Sequence, residues 1–573
     1  EYAYWLDQSG NNNDWTSEGG LTESDVMVDS PTNNFVTFNP LVMGGADVLS
    51  QGNLKSLGTS SGKSYRPSTI GVNSGKFYFE GVITIGTAGA IGVCIEGGST
   101  DNSMGKDDFS WAYHTGGTTR HNDVNSSYGA SYTTGDIIGA AVDIDNGTIV
   151  FSKNGASQGS YSIVGFSPDT YFLGAGDSTT GSSTGWVLNF GQDSSFAGAK
   201  TPQGNQDSND IGDFYYAPPT DFLALCTSNL PSVDVIPSEH FNTLLYTGNG
   251  SSTHAITNVG FTPDWVWAKQ RNTSRSHRLL DSVRGAGVYL ASDNTNAESS
   301  ASGLFKTFDS DGFTLDAANA LNQSGGTYVA WNWKAGGTAS SNSNGTITSS
   351  VSANPSAGFS IVSYTGTSAA SATIGHSLSQ KPELIMVKKR DEVGNWIVFT
   401  ETTGKDNKLN LNETTASATS ALFNNVAPTS TVFSVKDTST DDTFGVGHTY
   451  IAYAFHSVDG HSKVGSFVGT GGSYGVVDGA FINLGFRPAM ILVKSTGTAD
   501  WNIFDNRRSG HNSSSYILLP NSSAAEDASN PIFLDLLSNG FKWRFTNADF
   551  NASGVEYIFY AVAESPFKHS NAR

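Results

Sequence analysis

An all-β chain of tandem antiparallel β-sandwich domains is what this sequence predicts, and three observations predict it. The composition is turn-rich and weakly charged, with 65 Gly and 14% charged residues among 573. No amphipathic helical periodicity runs longer than a couple of turns, and Ile532-Phe533-Leu534-Asp535-Leu536-Leu537 is the one place where a short helix is expected. Finally, a short apolar run bounded by Pro and Lys occurs three times, in step with other landmarks.

That run is Pro263-Asp264-Trp265-Val266-Trp267-Ala268-Lys269, then Pro382-Glu383-Leu384-Ile385-Met386-Val387-Lys388, then Pro488-Ala489-Met490-Ile491-Leu492-Val493-Lys494. An unbroken apolar stretch this short predicts a strand buried on both faces, and Pro suits its first position, where no ladder donor is needed. Upstream of each copy lies an aromatic residue two places before Gly: Tyr246-Thr247-Gly248, Tyr364-Thr365-Gly366 and Phe467-Val468-Gly469. Downstream lies a Tyr-led strand at Tyr328, Tyr450 and Tyr557, which is 65, 68 and 69 residues after the Pro. Landmarks held in register this closely define three copies of one domain of about 100 residues, at 237–337, 355–457 and 461–568. A Gly/Ser/Thr/Asn-rich stretch at 338–354 reads as a linker, although Ile347 and Val351 suggest an edge strand inside it. The third copy follows the second almost directly, which predicts a stiff junction.

Ahead of the repeats, residues 1–34 read as a polar loop region anchored by Trp5, Leu6 and Trp15, the end of a preceding segment of a longer chain. Residues 35–192 read as a separate sandwich. Gly75-Lys76-Phe77-Tyr78-Phe79-Glu80 is a strand, and Gly135–Asp145 and Thr148–Lys153 are two more, joined at Asn146-Gly147. Asn-Gly between alternating strands predicts a tight hairpin turn of type I′, because both residues tolerate positive φ. Asn154-Gly155 predicts a second such turn. Residues 193–236 read as a Pro-rich connector containing Pro218-Pro219.

The motifs G-K-x-Y-x-E at Gly75–Glu80, G-D-x-I-G-x-A-x-D-x-D-N-G-x-x-x-F-x-K-N-G at Gly135–Gly155 and the closing Leu188-Asn189-Phe190-Gly191 resemble the SPRY (B30.2) family over about 35–192. The resemblance implies a bent two-sheet sandwich that presents variable loops for recognition and performs no catalysis. The passage Pro218-Pro219-Thr220-Asp221-Phe222-Leu223-Ala224-Leu225, ending at Asn229-Leu230-Pro231, is similar to SPRY-bearing bacteriophage virion proteins. The repeat ending Tyr328–Gly337 resembles domains of phage fibre-like proteins.

Net charge is −21, which disfavours a nucleic-acid partner, since phosphate binding needs clustered Lys and Arg. No stretch of 18 apolar residues exists, so membrane insertion is not expected. Cys94 and Cys226 each sit in an apolar run and are expected as buried free thiols, consistent with assembly in a reducing host cytoplasm.

Chemical motifs are sparse. His-Glu-x-x-His and a phosphate loop are absent from the sequence. Asp309/Asp311 and Asp441/Asp442 neighbour one another only in turn contexts, which is a poor basis for glycan hydrolysis. The recognition candidates lie in Asp101–Tyr132: Trp111, Tyr113, His114, Arg120 and His121, aromatic and polar groups among Gly, Ser and Thr, as in adaptable binding loops. Secondary candidates are the pairs Asp281/Arg284 and Asp505/Arg508, which could read a sugar by bidentate hydrogen bonds or close a loop as an ion pair. The second repeat has Thr400-Glu401-Thr402-Thr403 there instead.

With no catalytic residue, metal or cofactor indicated, the expectation is a non-enzymatic virion structural protein, a tail or head fibre that attaches to the host surface. Its partners would be other virion proteins and a host cell-surface glycan or protein. The resemblance implies a homotrimer. The alternatives are a bacterial surface adhesin or lectin, a fibre that degrades capsular polysaccharide, and a virion decoration without a receptor.

Overall fold

The computed structural model describes residues 33–42, 48–58, 65–95, 102–165, 170–179, 184–437, 443–471, 479–528 and 533–569. The anchors Trp5, Leu6 and Trp15 and the pair Asp441/Asp442 lie outside the described residues. The chain divides into two compact units, Glu1–Pro231 and Ser232–Arg573.

The first unit is a two-sheet sandwich. One sheet has the order β1 (Val48–Ser50), β2 (Lys55–Leu57), β13 (Gly185–Asn189), β4 (Lys76–Ile85), β9 (Ile137–Asp143), β10 (Thr148–Lys153), β11 (Ala156–Ser162). The other has the order β3 (Tyr65–Val72), β12 (Tyr171–Asp177), β5 (Gly89–Ile95), β6 (Ser110–His114), β7 (Thr118–His121), β8 (Val124–Ser127). The G-K-x-Y-x-E segment is β4, in mid-sheet and buried on both faces. Phe79 points inward and stacks on Phe190 with centroids 5.5 Å apart. Tyr78 points outward, where Phe214, Ala224 and Cys226 cover it.

Residues 193–231 therefore do more than space two domains, because they form the lid over that outer face. Within them β14 (Leu223–Ala224) pairs parallel to the start of β4. Glu80 fastens the lid: its carboxylate accepts the backbone N–H groups of Tyr215 and Tyr216, each at 2.8 Å, with the Tyr78 hydroxyl and Asn189 amide completing the shell. Burial holds that carboxyl up at a pKa of about 7.

The two Asn-Gly turns differ. At Asn154-Gly155 both residues have positive φ (49° and 81°) and Lys153 pairs with Ala156, the two-residue turn the sequence predicts. At Asn146-Gly147 the paired residues are Asp143 and Thr148, so the loop has four residues and only Gly147 turns to positive φ. Asp143 holds that loop by accepting the Asn146 backbone N–H and side-chain amide. Its carboxylate offered a local partner, and the turn formed around it.

In the second unit each repeat has a sheet containing the same four strands in the same spatial order: opening strand, closing strand, Pro strand, outer strand; the sheet has four strands in the first and third repeats and eight in the second. The opening strands are Phe241–Thr247, Phe359–Thr365 and Ser462–Val468, and the closing strands are Thr327–Trp333, Thr449–Phe455 and Glu556–Pro566. The Pro strands are Trp265–Gln270, Leu384–Lys389 and Phe486–Ser495, and the outer strands are Arg278–Asp281, Trp396–Thr400 and Trp501–Asp505. The segment 338–354 contributes two strands, Ser340–Asn342 and Ser349–Asn354, to the edge of the second repeat's sheet. The segment expected as a short helix is instead the strand Leu534–Leu537, paired with Gly540–Trp543. Leu534 and Leu536 alternate into the core there, and pairing wins over a four-residue helix that could not nucleate.

Each landmark shared by the three repeats has a packing reason. The upstream aromatic stacks on the downstream Tyr in every copy: Tyr246 on Tyr328 at 4.9 Å, Tyr364 on Tyr450 at 5.1 Å and Phe467 on Tyr557 at 5.2 Å. The Gly after it lies against the loop that leads into the closing strand. A Cβ there would sit 2.2 Å from the Gln323 carbonyl oxygen, 2.0 Å from that of Gly445 and 2.3 Å from that of Ala552.

Both faces of the Pro strand are buried because they belong to different cores. Val266/Ala268, Ile385/Val387 and Ile491/Val493 pack within their own repeats. Trp265/Trp267, Leu384/Met386 and Met490/Leu492 turn the other way and meet in one core shared by all three repeats. Phe455 of the second repeat lies 6.1 Å from Trp265 of the first and 4.6 Å from Tyr560 of the third. The Lys that ends each Pro strand is buried too: Lys269, Lys388 and Lys494 each donate to the carbonyl of the following residue. The repeats thus form a closed ring with three pseudo-equivalent seams.

Candidate recognition surface

The five recognition candidates of the first unit sit on two neighbouring strands. Trp111, Tyr113 and His114 lie on β6, and Arg120 and His121 lie on β7. Trp111, Tyr113 and His114 are buried. Trp111 stacks on His121 (4.5 Å, 7° between planes) and donates its indole N–H to the Val164 carbonyl at 3.0 Å. Tyr113 donates to the Ala130 carbonyl and packs between Tyr128, Tyr132 and Phe151.

His114 Nε2 lies 3.0 Å from the Met104 carbonyl, and burial pushes its pKa down to about 4. Arg120 donates to the Ser178 carbonyl and pairs with Asp123, whose carboxyl it holds below the usual range. The sequence placed these side chains on a recognition face, whereas the structure uses them for packing beneath exposed edge strands. Alternation explains the difference: aromatic residues at 111 and 113 of a central strand share one face, and that face is the core.

What remains exposed was missed by composition, because it is unremarkable in sequence. All four residues of the edge strand β8, Val124-Asn125-Ser126-Ser127, are exposed, and so is most of the opposite edge strand β11. The two edges are tied together: Tyr128, just after β8, donates its hydroxyl to the Gly159 carbonyl, and Gln158 accepts the Ala130 N–H at 2.8 Å. Val124 (65% exposed) and Val164 (61% exposed) flank the Trp111–His121 stack. The surface is therefore uncharged along β8 and β11, with an apolar corner and a ribbon of Ser, Asn, Gln and Gly. It offers hydrogen bonds and shape to a partner.

The secondary candidates are buried in the seams of the second unit. Arg284 reaches Asp281 at 2.5 Å, donates to the Leu279 carbonyl, and meets the Tyr453 hydroxyl of the second repeat. Tyr453 in turn donates to Asp281 at 2.7 Å. Arg508 reaches Asp505 at 2.6 Å, and Trp331 of the first repeat donates its indole N–H to the same carboxylate at 3.1 Å. Both pairs thus bridge a seam, with no solvent face for a sugar. At the remaining seam Thr400 and Thr403 bond to each other at 2.9 Å. Asp311 is likewise consumed, accepting the backbone N–H groups of Asn258 and Gly260, and Asp309 accepts the Thr314 hydroxyl.

Among the described residues no group of three or more His, Cys, Asp or Glu is placed to hold a metal ion, and no helix is long and apolar enough to cross a membrane. Cys94 and Cys226 are buried free thiols.

Residues 76–172 match the SPRY domain family. Over 95 residues the chain is 38% identical to the ATP-dependent RNA helicase DDX1 of Xenopus laevis, covering 16% of this chain and 12% of that protein. It is 33% identical over 125 residues to Ran-binding protein 10 of Danio rerio, covering 19% of this chain and 20% of that one. The chain thus spans about an eighth to a fifth of these relatives. Among solved structures, the SPRY domain of human HERC1 aligns at 20% identity and a TM-score of 0.24, over 26% of this chain and 96% of that one. The ring of three repeats coincides with the second match, over residues 236–566, and by that match the chain belongs to the family described as a domain of unknown function, DUF7483.

Proposed function

We propose that this protein is a non-enzymatic appendage of a bacteriophage virion, a tail or head fibre component that attaches to the host surface through its SPRY unit. The observation that carries the reading is the fate of the polar candidates. The His, Asp and Arg groups singled out in sequence are spent on packing, and the exposed edges of the SPRY unit are uncharged and rigidly backed. A surface of that kind recognises by shape and by neutral hydrogen bonds, as a glycan or a protein surface requires. The ring supplies a stiff body from which to present it. Its other partners in this reading are virion proteins, with a homotrimer as the working assembly.

The test is binding of the purified protein to host cells, compared with the variants Val124→Lys and Gln158→Lys. Saturable binding weakened at least tenfold by both variants supports the reading. Binding unaffected by either, or release of reducing ends from host polysaccharide, overturns it.

A further inference from the structure

The three seams of the ring are alike in design and unlike in how they are held. Segment 335–357 ties the first repeat to the second, and the turn at Asp459-Gly460 ties the second to the third. Nothing covalent joins the third back to the first. We propose that this third-to-first seam is an acid-released clasp, through which the ring opens while its other two seams stay closed.

The distribution of contacts carries the inference. At each seam an aromatic group on the outer strand reaches a backbone carbonyl of the neighbouring repeat: Trp396 donates to Ala291 at 2.8 Å and Trp501 to Asn410 at 2.9 Å. At the untied seam the equivalent residue is His277, whose Nε2 lies 3.0 Å from the Leu519 carbonyl. Its Nδ1 accepts the Trp267 indole N–H at 2.8 Å. That pair of bonds exists only for the neutral ring with its proton on Nε2. A second proton on Nδ1 removes the acceptor and sets two N–H groups against each other.

The new charge would also be buried. Lys269, Arg278 and Arg508 bring like charge to it, and Asp293 accepts the His277 backbone N–H at 3.2 Å. At the other end of the same seam, His461 of the third repeat lies edge-on to His240 of the first, with centroids 5.8 Å apart. His461 is buried with Nδ1 unpaired, and the charged neighbours of His240 are Lys334 and Glu239. Both histidines are held below their ordinary value, His461 at about 3.

At neutral pH an ion pair also crosses this seam. Arg271 grips Glu526 at 2.7 and 2.9 Å, as Arg390 grips Glu298 at 3.0 Å across the first-to-second seam. The second-to-third seam, tied by the shortest link, has Thr496 and Ser417 where Arg271 and Glu526 stand. Below the ordinary histidine value of about 6.5, each pH unit multiplies the released population by roughly ten per buried histidine.

At an equivalent place in each seam a backbone hydrogen bond crosses: Glu526 N–H to Arg271, Glu298 N–H to Arg390 and Ser417 N–H to Thr496, at 2.8, 2.7 and 2.8 Å. Hydrogen exchange of these three amides in the whole chain, corrected for intrinsic rates, reads the seams separately. Between pH 7 and 4.5, protection at Glu526 should fall by roughly 100-fold for each of the two histidines, with Glu298 and Ser417 falling less than tenfold. The variant His277→Gln can keep both hydrogen bonds and does not titrate, and it should recover at least tenfold of the loss at Glu526. Equal loss at all three amides, no loss at Glu526, or an unchanged loss in His277→Gln overturns the clasp. If that variant fails to fold, the three-amide comparison in the natural sequence decides alone.

Discussion

The indole N–H of Trp501 donates to the Asn410 carbonyl at 2.9 Å, from the third repeat into the second. Together with Trp396 on Ala291 and His277 on Leu519 it makes a head-to-tail relay that returns to its start. A heterologous contact that closes after three steps gives a ring with no free end. We expect Trp501→Phe to strand a buried carbonyl and leave a gap, destabilising the second unit by about 1–3 kcal/mol. Denaturant unfolding of the variant, followed by a probe in that unit, measures it.

The Asp505–Arg508 pair is buried and bonded across a seam. Arg508→Ala leaves a carboxylate in the interior without its partner, and we expect a loss of about 3–5 kcal/mol. Replacing both residues by apolar ones of similar size should cost much less, because no lone charge remains. Comparing the single and double variants by thermal unfolding separates the two; equal losses would place the pair at an exposed surface.

Glu80 fastens the lid of residues 193–231 through the backbone of Tyr215 and Tyr216. In Glu80→Ala we expect two stranded N–H groups and a loosened lid, seen as faster proteolysis near Pro218-Pro219. The ring unit should unfold as before, since it contains none of these bonds.

The two units should respond unequally to acid. In the ring, His376 is held down at about 4, His461 at about 3, and His277 well below its ordinary value, all mainly by burial. A depressed histidine contributes stability present above pH 6.5 and lost as pH falls through its folded value. Glu80 in the first unit is raised to about 7, so its contribution is present below pH 4.5 and lost as pH rises through 7. It opposes His114, held at about 4. Between pH 6.5 and 4 we expect the ring's unfolding midpoint to fall well beyond that of the first unit, as calorimetry at stepped pH would resolve.

The sequence disclosed the repeats because packing repeats with them. Tyr246, Tyr364 and Phe467 are spaced as they are by one stacking partner, and Gly248, Gly366 and Gly469 are each fixed by one close carbonyl. Burial on both faces of the Pro strand was also legible in its unbroken apolar run. What the run did not reveal is that its two faces serve different cores, since Trp265 and Val266 are equally apolar. The candidate recognition surface was the least legible part. Aromatic residues such as Trp111 and Tyr113 signal burial and binding alike, and edge exposure at Val124–Ser127 follows from strand order, which local sequence does not encode.

The central claim is that three repeats share one core, and Phe455 tests it because it touches all three. Truncation in Phe455→Ala should cost about 3–5 kcal/mol. Native-state hydrogen exchange of the closing-strand amides of Val329, Ile451 and Ile558 reads where that cost falls. The ring requires all three to lose protection by the same factor. Loss confined to Ile451, with Val329 and Ile558 unchanged, would mean three independent domains and would contradict it.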